Sequence, residues 1–399
     1  MKQLTIWLIL LSFSSLLLAG CWDREELNEI SLITGMAIDK GKNAKYRLSL
    51  EGVNAAELNP QTRGQGTPSI VFGLEGNTIA ELAHKTNIGF SRKAIFSHMR
   101  TVVISDQIAR AGTLEFLDFM ERDREIRNDF NLVIATDCQA VDVLRILYPL
   151  QKISTAKIHI QMGTLLKDWG GDPNIRLREF VNAIVSKGRQ PVAAVVSIRG
   201  SKEKGASADN MQKPTPDAIV EVKGLAVFKG EKMSGILPLQ FSRVYLWTQD
   251  QLRQTSLSVP CQKNKFLNMR VYNSNTNVEV TTEKGKPVIK VGIKVETRLD
   301  GSHCLDDIEK VETTMKFETL TADYIRKEVA SAISTIQKKY SADIFGFGEK
   351  MHISDPKYYN KVKEHWDEEF ARAQVKVQVI AKLRRTGLNT NSFLQQMKK

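Results

Sequence analysis

Cysteine is scarce in this 399-residue chain, which holds only Cys21, Cys138, Cys261 and Cys304. There is no CxxC, no HxxxH and no second pair at ligand spacing, so His303-Cys304 does not read as a zinc site and no metal is expected. Apart from Cys21, three thiols remain, an odd and sparse set that is no disulfide framework. Cys261 and Cys304 are able to pair, and their spacing does not decide whether they do. The phosphate loop GxxxxGK[ST] is missing, as is the GxSxG elbow of serine hydrolases. Gly346-Phe347-Gly348 is a fragment of a dinucleotide fingerprint, but it follows a helical stretch instead of opening one and reads as a chain-turning device. Carboxylates are plentiful, yet the sequence marks no pair whose surroundings would push two pKa values apart. His98 and His159 lie in amphipathic stretches, where core or boundary roles suit them. No cofactor and no catalytic residue is expected, and the chain reads as non-enzymatic.

Long apolar runs are missing too, except at the start. Met1-Lys2 precedes an almost unbroken apolar stretch from Leu4 to Leu18, and Leu18-Ala19-Gly20-Cys21 follows. A charged start, a short apolar segment and small residues at its end are the three parts of a secretory signal. The stretch is shorter than the ~20 apolar residues that span ~30 Å of hydrocarbon. Residues 1–20 therefore read as a signal peptide. Leu-Ala-Gly-Cys fits the lipobox: a thiolate takes a diacylglyceryl group, and the two small residues before it admit the backbone to a signal peptidase. Two acyl chains, at ~0.8 kcal/mol per buried methylene, hold on the order of 20 kcal/mol before entropy costs. Cys21 is the expected lipidation site, and the mature chain is expected at the outer, extracytoplasmic surface of the cell membrane.

Acidic residues are the minority. Lys and Arg (57) exceed Asp and Glu (45) by 12, and losing Lys2 with the signal leaves +11. On an exported, tethered chain such a surplus points to anionic phospholipid, at ~1 kcal/mol per basic group near the surface. Export and the lack of any nucleic-acid motif argue against nucleic acid. After Glu369 come Arg372, Lys376, Lys382, Arg384, Arg385, Lys398 and Lys399 with no acid among them.

The rest organises as a multidomain, mixed α/β chain of the α+β class, with mostly antiparallel sheets and three domains. Ile30–Asp39 and Lys45–Val53 are apolar runs joined by Lys40-Gly41-Lys42-Asn43, a hairpin signal. Thr78 and Glu81 form a capping box ahead of Ile79, Leu82 and Ala83. Strand-like Thr101–Ser105, a helix after Thr113, the run Phe130–Ala135, a helix from Arg176 stopped by Gly188, and the strand Val192–Ile198 complete an N-terminal α/β domain over 21–199. Residues 200–217, with Met211 the only large apolar side chain, read as a linker or long loop. Ala218–Phe228 and Met233–Leu237 are runs around Lys229-Gly230-Glu231-Lys232, and with aromatic Phe241–Trp247 they suggest a small middle domain over 218–260. In a C-terminal α+β domain over 261–399, Ile289, Val291, Ile293 and Val295 alternate with polar residues, as do Val375, Val377 and Val379. Ile325, Val329, Ile333, Ile336 and Tyr340 mark a helix over roughly 306–340, laid across an antiparallel sheet.

Several stretches resemble one known family. Cys21-Trp22-Asp23-Arg24-Glu25-Glu26-Leu27-Asn28 leading into Gly35-Met36-Ala37-Ile38-Asp39 is similar to the start of the Ger(x)C family, the C subunits of spore germinant receptors. So are Arg122-Asp123-Arg124-Glu125-Ile126-Arg127; Gly224-Leu225-Ala226-Val227-Phe228-Lys229 with Lys232 and Gly235; and Asp343-Ile344-Phe345-Gly346-Phe347-Gly348-Glu349 with Trp366 and Arg384-Arg385-Thr386-Gly387. The resemblance covers nearly the whole mature chain. It implies three domains and a non-enzymatic, lipid-anchored subunit in the spore inner membrane, beside two integral membrane partners, A and B. Each motif also has a plain structural account: an interfacial aromatic at Trp22, a strand at 224–228, a surface ion-pair patch at 122–127. Two roles follow, a scaffold that helps assemble the receptor, or a binding protein that itself captures a germinant in an interdomain cleft.

Replacing Cys21 by Ala should leave an exported protein without lipid. In cells fed radiolabelled palmitate the variant should carry no label and leave the membrane fraction; label retained on it would show that another residue is acylated.

Overall fold

Apolar runs and turn chemistry lay down the first strands. The structure, a computed structural model, describes residues 29–58, 66–304 and 306–385, together with Gln3 and Trp7. Cys21, Trp22 and the tail from Thr386 lie outside the described residues. β1 (Ile30–Lys40) and β2 (Tyr46–Val53) form the expected antiparallel hairpin, and the Glu75 carboxylate holds its turn by accepting the N–H groups of Lys42 and Asn43, both at 3.1 Å. β3 (Ser69–Gly76) continues the antiparallel edge, and Thr78 caps α1 (Ile79–His84) by accepting the Glu81 N–H at 3.3 Å. β4 (Lys93–Ile95) and β5 (Thr101–Ser105) both run parallel to β1. The helices α2 (Asp106–Ala111) and α3 (Leu114–Arg122) lead to β6 (Asn131–Ala135). Three more, α4 (Ala140–Arg145), α5 (Ser154–Asp168) and α6 (Leu177–Val185), lead to β7 (Val192–Gly200). With β8 (Ala218–Lys229) and β9 (Lys232–Pro238) they make a nine-stranded sheet ordered β3-β2-β1-β5-β6-β7-β8-β9, β4 lying beside β1.

Strands β1, β5, β6 and β7 are parallel at the centre of this sheet, with antiparallel pairs on both sides. A central parallel strand is covered on both faces, and successive side chains point to opposite ones. Accordingly Met36, Val102 and Leu132 join one apolar cluster while Ala37, Val103 and Val133 join another with Leu144 of α4.

One feature differs from the sequence reading. β8 pairs with β7, and β9 with β8, so residues 218–238 finish the edge of the large sheet where a separate small unit was expected. A lone hairpin is marginal in water, and here Leu225, Val227 and Phe228 are fully buried in the main core cluster, Phe228 against Phe180 of α6. The apolar-poor segment 200–217 joins β7 to β8 as a long loop with two short helical turns, and Asn210 helps to tie it down. Asn210, fully buried, donates to the Leu147 carbonyl at 2.7 Å and the Ala218 carbonyl at 3.1 Å, and accepts the Asp217 N–H at 2.7 Å.

After α7 (Gln240–Thr248), β10 (Thr255–Gln262), β11 (Lys265–Glu283) and β12 (Lys286–Ser302) form a meander. The long helix α8 (Val311–Lys339) follows, beginning at Val311 instead of near 306. The Asp307 carboxylate accepts the Glu309 N–H at 3.1 Å, a local turn that competes with helix over those residues. α8 buries Ile325, Val329, Ile333 and Ile336 of the expected stripe and, ahead of them, Phe317 and Thr321, while Tyr340 caps its end half-buried. Three short helices, α9 (Phe347–Ser354), α10 (Pro356–Val362) and α11 (Trp366–Ala371), precede β13 (Gln374–Arg385). β13 pairs parallel with β12, because the helices between them carry the chain back to the start of the sheet. Both sheets thus mix the two directions, and the whole is a multidomain α+β fold.

Cys261 and Cys304 are joined in a disulfide, their Cα atoms 6.6 Å apart, linking the end of β10 to the loop after β12. The bridge closes a loop of 43 residues, for which chain entropy gives about 4 kcal/mol of stabilisation. The Cys261→Ala/Cys304→Ala double variant should therefore unfold at lower urea with a loss of up to about 4 kcal/mol, and reductant should affect the parent chain alone.

Candidate functional site

Motifs distant in sequence converge where the two sheets meet. At the centre is Asp343, which is fully buried. One carboxylate oxygen accepts the Phe345 N–H at 3.0 Å; the other accepts the Gly348 N–H at 2.8 Å and the Trp366 indole N–H at 2.7 Å. Gly346, at φ +73°, supplies the left-handed residue that lets the chain turn back towards this carboxylate. Phe345 and Phe347 then stack at 5.2 Å between ring centroids, with Phe370 closing the cluster.

The N-terminal sheet reaches this loop through the segment just before β7. Gln190 donates its N–H to the Asp343 carbonyl at 2.7 Å and its side-chain amide to Asp367 at 3.0 Å, while its side-chain oxygen accepts the Gly230 N–H at 2.7 Å. Ser186 donates to Glu349 at 2.9 Å, and Lys187 pairs with Glu364. α6 ends at Val185, so Gly188 is not its stop signal. Gly188 is instead a point of backbone contact: a Cβ there would meet Glu349 N at 2.5 Å and the Gly348 carbonyl carbon at 2.6 Å. Gln249 of the adjoining loop donates to the Phe345 carbonyl at 2.8 Å. Nearby, Arg243 of α7 pairs with Glu328 of α8, and its guanidinium lies 4.8 Å from the Trp169 ring centroid. Arg243 is only 4% exposed, so this ion pair is desolvated, and losing one partner would leave a buried charge.

Burial pushes the Asp343 carboxyl up to about 7, and the neighbouring charge of Asp367 adds to the rise. All its oxygens are engaged by the protein, and no side opens to a ligand. The group can hold the loop, not attack or protonate a substrate. Two other buried carboxylates act alike. Asp39 accepts the Ala140 and Val141 N–H groups at 2.7 and 2.9 Å, at the start of α4. Glu51 accepts the Ser154 and Thr155 N–H groups at 2.9 and 3.1 Å at the start of α5, with hydroxyls of Thr34, Ser69 and Thr155. Glu51 and Gln190 carry no motif signal; a carboxylate inside an apolar strand was the only hint of the first.

The other sequence-marked residues are dispersed. Arg122, Arg124 and Arg127 are exposed at the end of α3, where the Arg122–Asp118 pair at 2.9 Å is a surface contact worth about 0–1 kcal/mol. Lys93, Asp123, Arg124 and Glu125 border an open hollow of about 420 Å³. His98 is exposed; His159 is half-buried, 2.6 Å from the Asn131 side-chain oxygen, and burial lowers its pKa. Cys304 is in the disulfide, and among the described residues no three His, Cys, Asp or Glu side chains are grouped to hold a metal ion. The hollow nearest the joint, lined by Arg189, Gln190 and Tyr245, measures only about 60 Å³.

Because the Asp343 pKa is raised in the fold, its contribution is complete below the unfolded carboxylate value of 3.8 and is lost as pH rises through about 7. Replacing Asp343 by Ala leaves three donors without an acceptor and should cost on the order of 3 kcal/mol. Urea unfolding should show a larger cost at pH 5 than at pH 8; an equal cost at both would mean that Asp343 does not titrate as described.

Residues 23–198 match the family of spore germination protein N-terminal domains, and residues 223–387 match the family described as spore germination B3/GerAC like, C-terminal. Spore germination protein KC of Bacillus subtilis (strain 168) is 28% identical over 398 residues, covering 98% of both chains. Spore germination protein B3 of the same organism is 22% identical over 375 residues, covering 93% of this chain and 95% of its own. The crystal structure of the GerBC protein superposes with a TM-score of 0.54 at 18% identity, over 91% of this chain and all of that one, and so shares the fold.

Proposed function

Since the chain belongs to the Ger(x)C family of spore germination proteins, we propose that it is the lipid-anchored, non-enzymatic C subunit of a spore germinant receptor, supporting receptor assembly and the response to nutrients. The observation that carries this reading is end-to-end similarity to spore germination protein KC, over 98% of both chains. Its partners are then the two integral membrane subunits, A and B, and its place is the extracytoplasmic face of the spore inner membrane. Among the described residues no helix is long and apolar enough to cross a membrane; in this reading diacylglyceryl lipid on Cys21 makes the attachment.

A scaffold role is supported by the joint around Asp343. Its buried contacts fix two sheets relative to one another, as a subunit needs if it is to present surfaces to two partners at once. The alternative, a subunit that captures a germinant itself in an interdomain cleft, has less to rest on. Ligand pockets usually run to ~300–1,000 Å³, whereas the hollow beside the joint is about 60 Å³.

Spores lacking this protein should fail to respond to one germinant or group of germinants while still germinating through routes that bypass the receptor. A Cys21→Ala chain should give a weaker response, since the anchor raises local concentration near the partners by factors of up to ~10² to 10⁴. Deletion spores that respond normally to every germinant, with no duplicate receptor compensating, would defeat the assignment. Saturable germinant binding by the purified soluble chain, seen by calorimetry, would favour the capture role instead.

A further inference from the structure

The C-terminal sheet has two unlike faces. The inward residues Ile289, Val291, Ile293 and Val295 of β12 are buried in the core cluster that also holds Phe317, Ile325 and Val329 of α8. The outward face is exposed, and no helix lies over it among the described residues. It carries Lys290, Lys294 and Arg298 on β12, and Lys376, Lys382 and Arg384 on β13. Glu279, Glu283, Glu296 and Asp300 are the acids on the same face; Arg298 pairs with Asp300 at 2.7 Å, Arg384 with Glu296 at 3.0 Å and Lys382 with Glu318 of α8 at 3.1 Å, so the surplus of cations lies at Lys290, Lys294 and Lys376. The sequence marked only the acid-free stretch after Glu369; the sheet register brings β12 into the same basic patch.

Sheet pairing accounts for only part of this arrangement: Glu279 stands opposite Lys290 and Glu296 opposite Lys382, but other pairs are of like charge. Lys290 stands directly opposite Lys376, and Arg270 of β11 directly opposite Arg298. Like charges in register destabilise a sheet, and Glu283, at 3.6 Å from Lys290 and 3.5 Å from Lys376, has to serve both lysines. Between the cations lies Gly292, in mid-strand. A side chain there would meet only the Asn277 carbonyl oxygen, at 3.7 Å. Packing therefore does not require glycine, and a glycine inside a strand weakens it while leaving room for close approach by another group. The room is a hollow of about 390 Å³ bordered by Asn277, Glu279, Lys290, Lys294, Lys376 and Gln378, three cations against one carboxylate. Ile380, 52% exposed, stands at its rim as an apolar side chain among the cations.

We infer that this face docks on an anionic phospholipid surface, with one headgroup phosphodiester seated in the hollow over Gly292 between Lys290, Lys294 and Lys376. Asn and Gln side chains suit the glycerol oxygens, and Ile380 can enter the acyl boundary. The inference rests on the reading that the chain is held at a membrane. Eight Cα–Cα steps separate Cys21 from Glu29, where the described chain begins, so the lipid-bearing residue lies within about 29 Å of it. A tether of that length keeps the chain at the bilayer, so that a weak attraction between an exposed basic face and the lipid becomes effectively intramolecular.

The test uses the full mature chain carrying Cys21→Ala, without lipid, in flotation with vesicles of phosphatidylglycerol and phosphatidylcholine or of phosphatidylcholine alone. Binding should need phosphatidylglycerol and fall steeply between 0.1 and 0.5 M salt, as screening shortens from ~10 Å. Lys290→Glu/Lys376→Glu should weaken binding at least about tenfold. Lys85→Glu/Lys361→Glu, with the same net charge but distant from the face, should bind as the parent does. Gly292→Val keeps every charge and fills the hollow; it should fold at least as well by urea unfolding and bind several-fold less. Equal binding to both vesicle types, equal loss in the two charge variants, or full binding by Gly292→Val would each overturn the inference. So would preference for soluble polyglutamate over vesicles, which would make the occupant an acidic polypeptide. None of these readouts depends on Cys21 acylation or on germination, so failure here is separable from failure of the receptor assignment.

Discussion

Asp343 is a carboxyl group that solvent does not reach, and two backbone N–H groups and an indole N–H converge on it. Burying such a group costs several kcal/mol unless donors replace water, so the loop 343–349 keeps its shape only while Trp366 and the Gly348 amide stay in place. That shape presents the Asp343 carbonyl to Gln190 and the Gly348 backbone to Gly188, and through those contacts the two sheets are held together. Glu51 and Asp39 repeat the device within the N-terminal sheet, each fixing the start of a helix against a strand. Burial raises the pKa of all three. Each is a cost in isolation and specifies one arrangement when its donors are present.

This division explains why residues that stand together in a motif need not touch a ligand. In Asp343-Ile344-Phe345-Gly346-Phe347-Gly348-Glu349 the acid binds amides, the aromatics pack on Phe370, one glycine turns the chain and the other admits a neighbouring backbone. Phe228, in another motif, meets Phe180 edge-on at 4.9 Å. These are requirements of a joint. The uncovered face of the C-terminal sheet is the reverse case, since its like-charged pairs and its glycine detract from the sheet that bears them.

Much of the fold was legible locally. The hairpin at 40–46, the cap at Thr78, the alternation through Val291 and the stripe of α8 each depend on residues a few positions apart. So did the absence of a phosphate loop or a nucleophile elbow. α8 begins later than its apolar stripe suggests because Asp307 makes its own turn, and 200–217, a long loop as its composition implies, is held by groups such as the Asn210 amide that carry no apolar signal. The edge role of β8 and β9 was hidden for a different reason: a hairpin reads the same in sequence whether it stands alone or completes a larger sheet.

By itself the sequence determined the class of the chain: a basic composition, strand and helix periodicities of an α+β protein, and motifs of the Ger(x)C family, with an opening stretch that reads as an export signal ending in a lipobox cysteine. These follow from composition and from spacings within a few residues, which local physics fixes. Only the tertiary structure decided that Cys261 meets Cys304, that Gln190 reaches Asp343 and Asp367, and that Lys290 lies beside Lys376. Those pairings join residues from 43 to 177 positions apart. They depend on strand order and register, which are set by how all the buried faces are satisfied together and by no single segment.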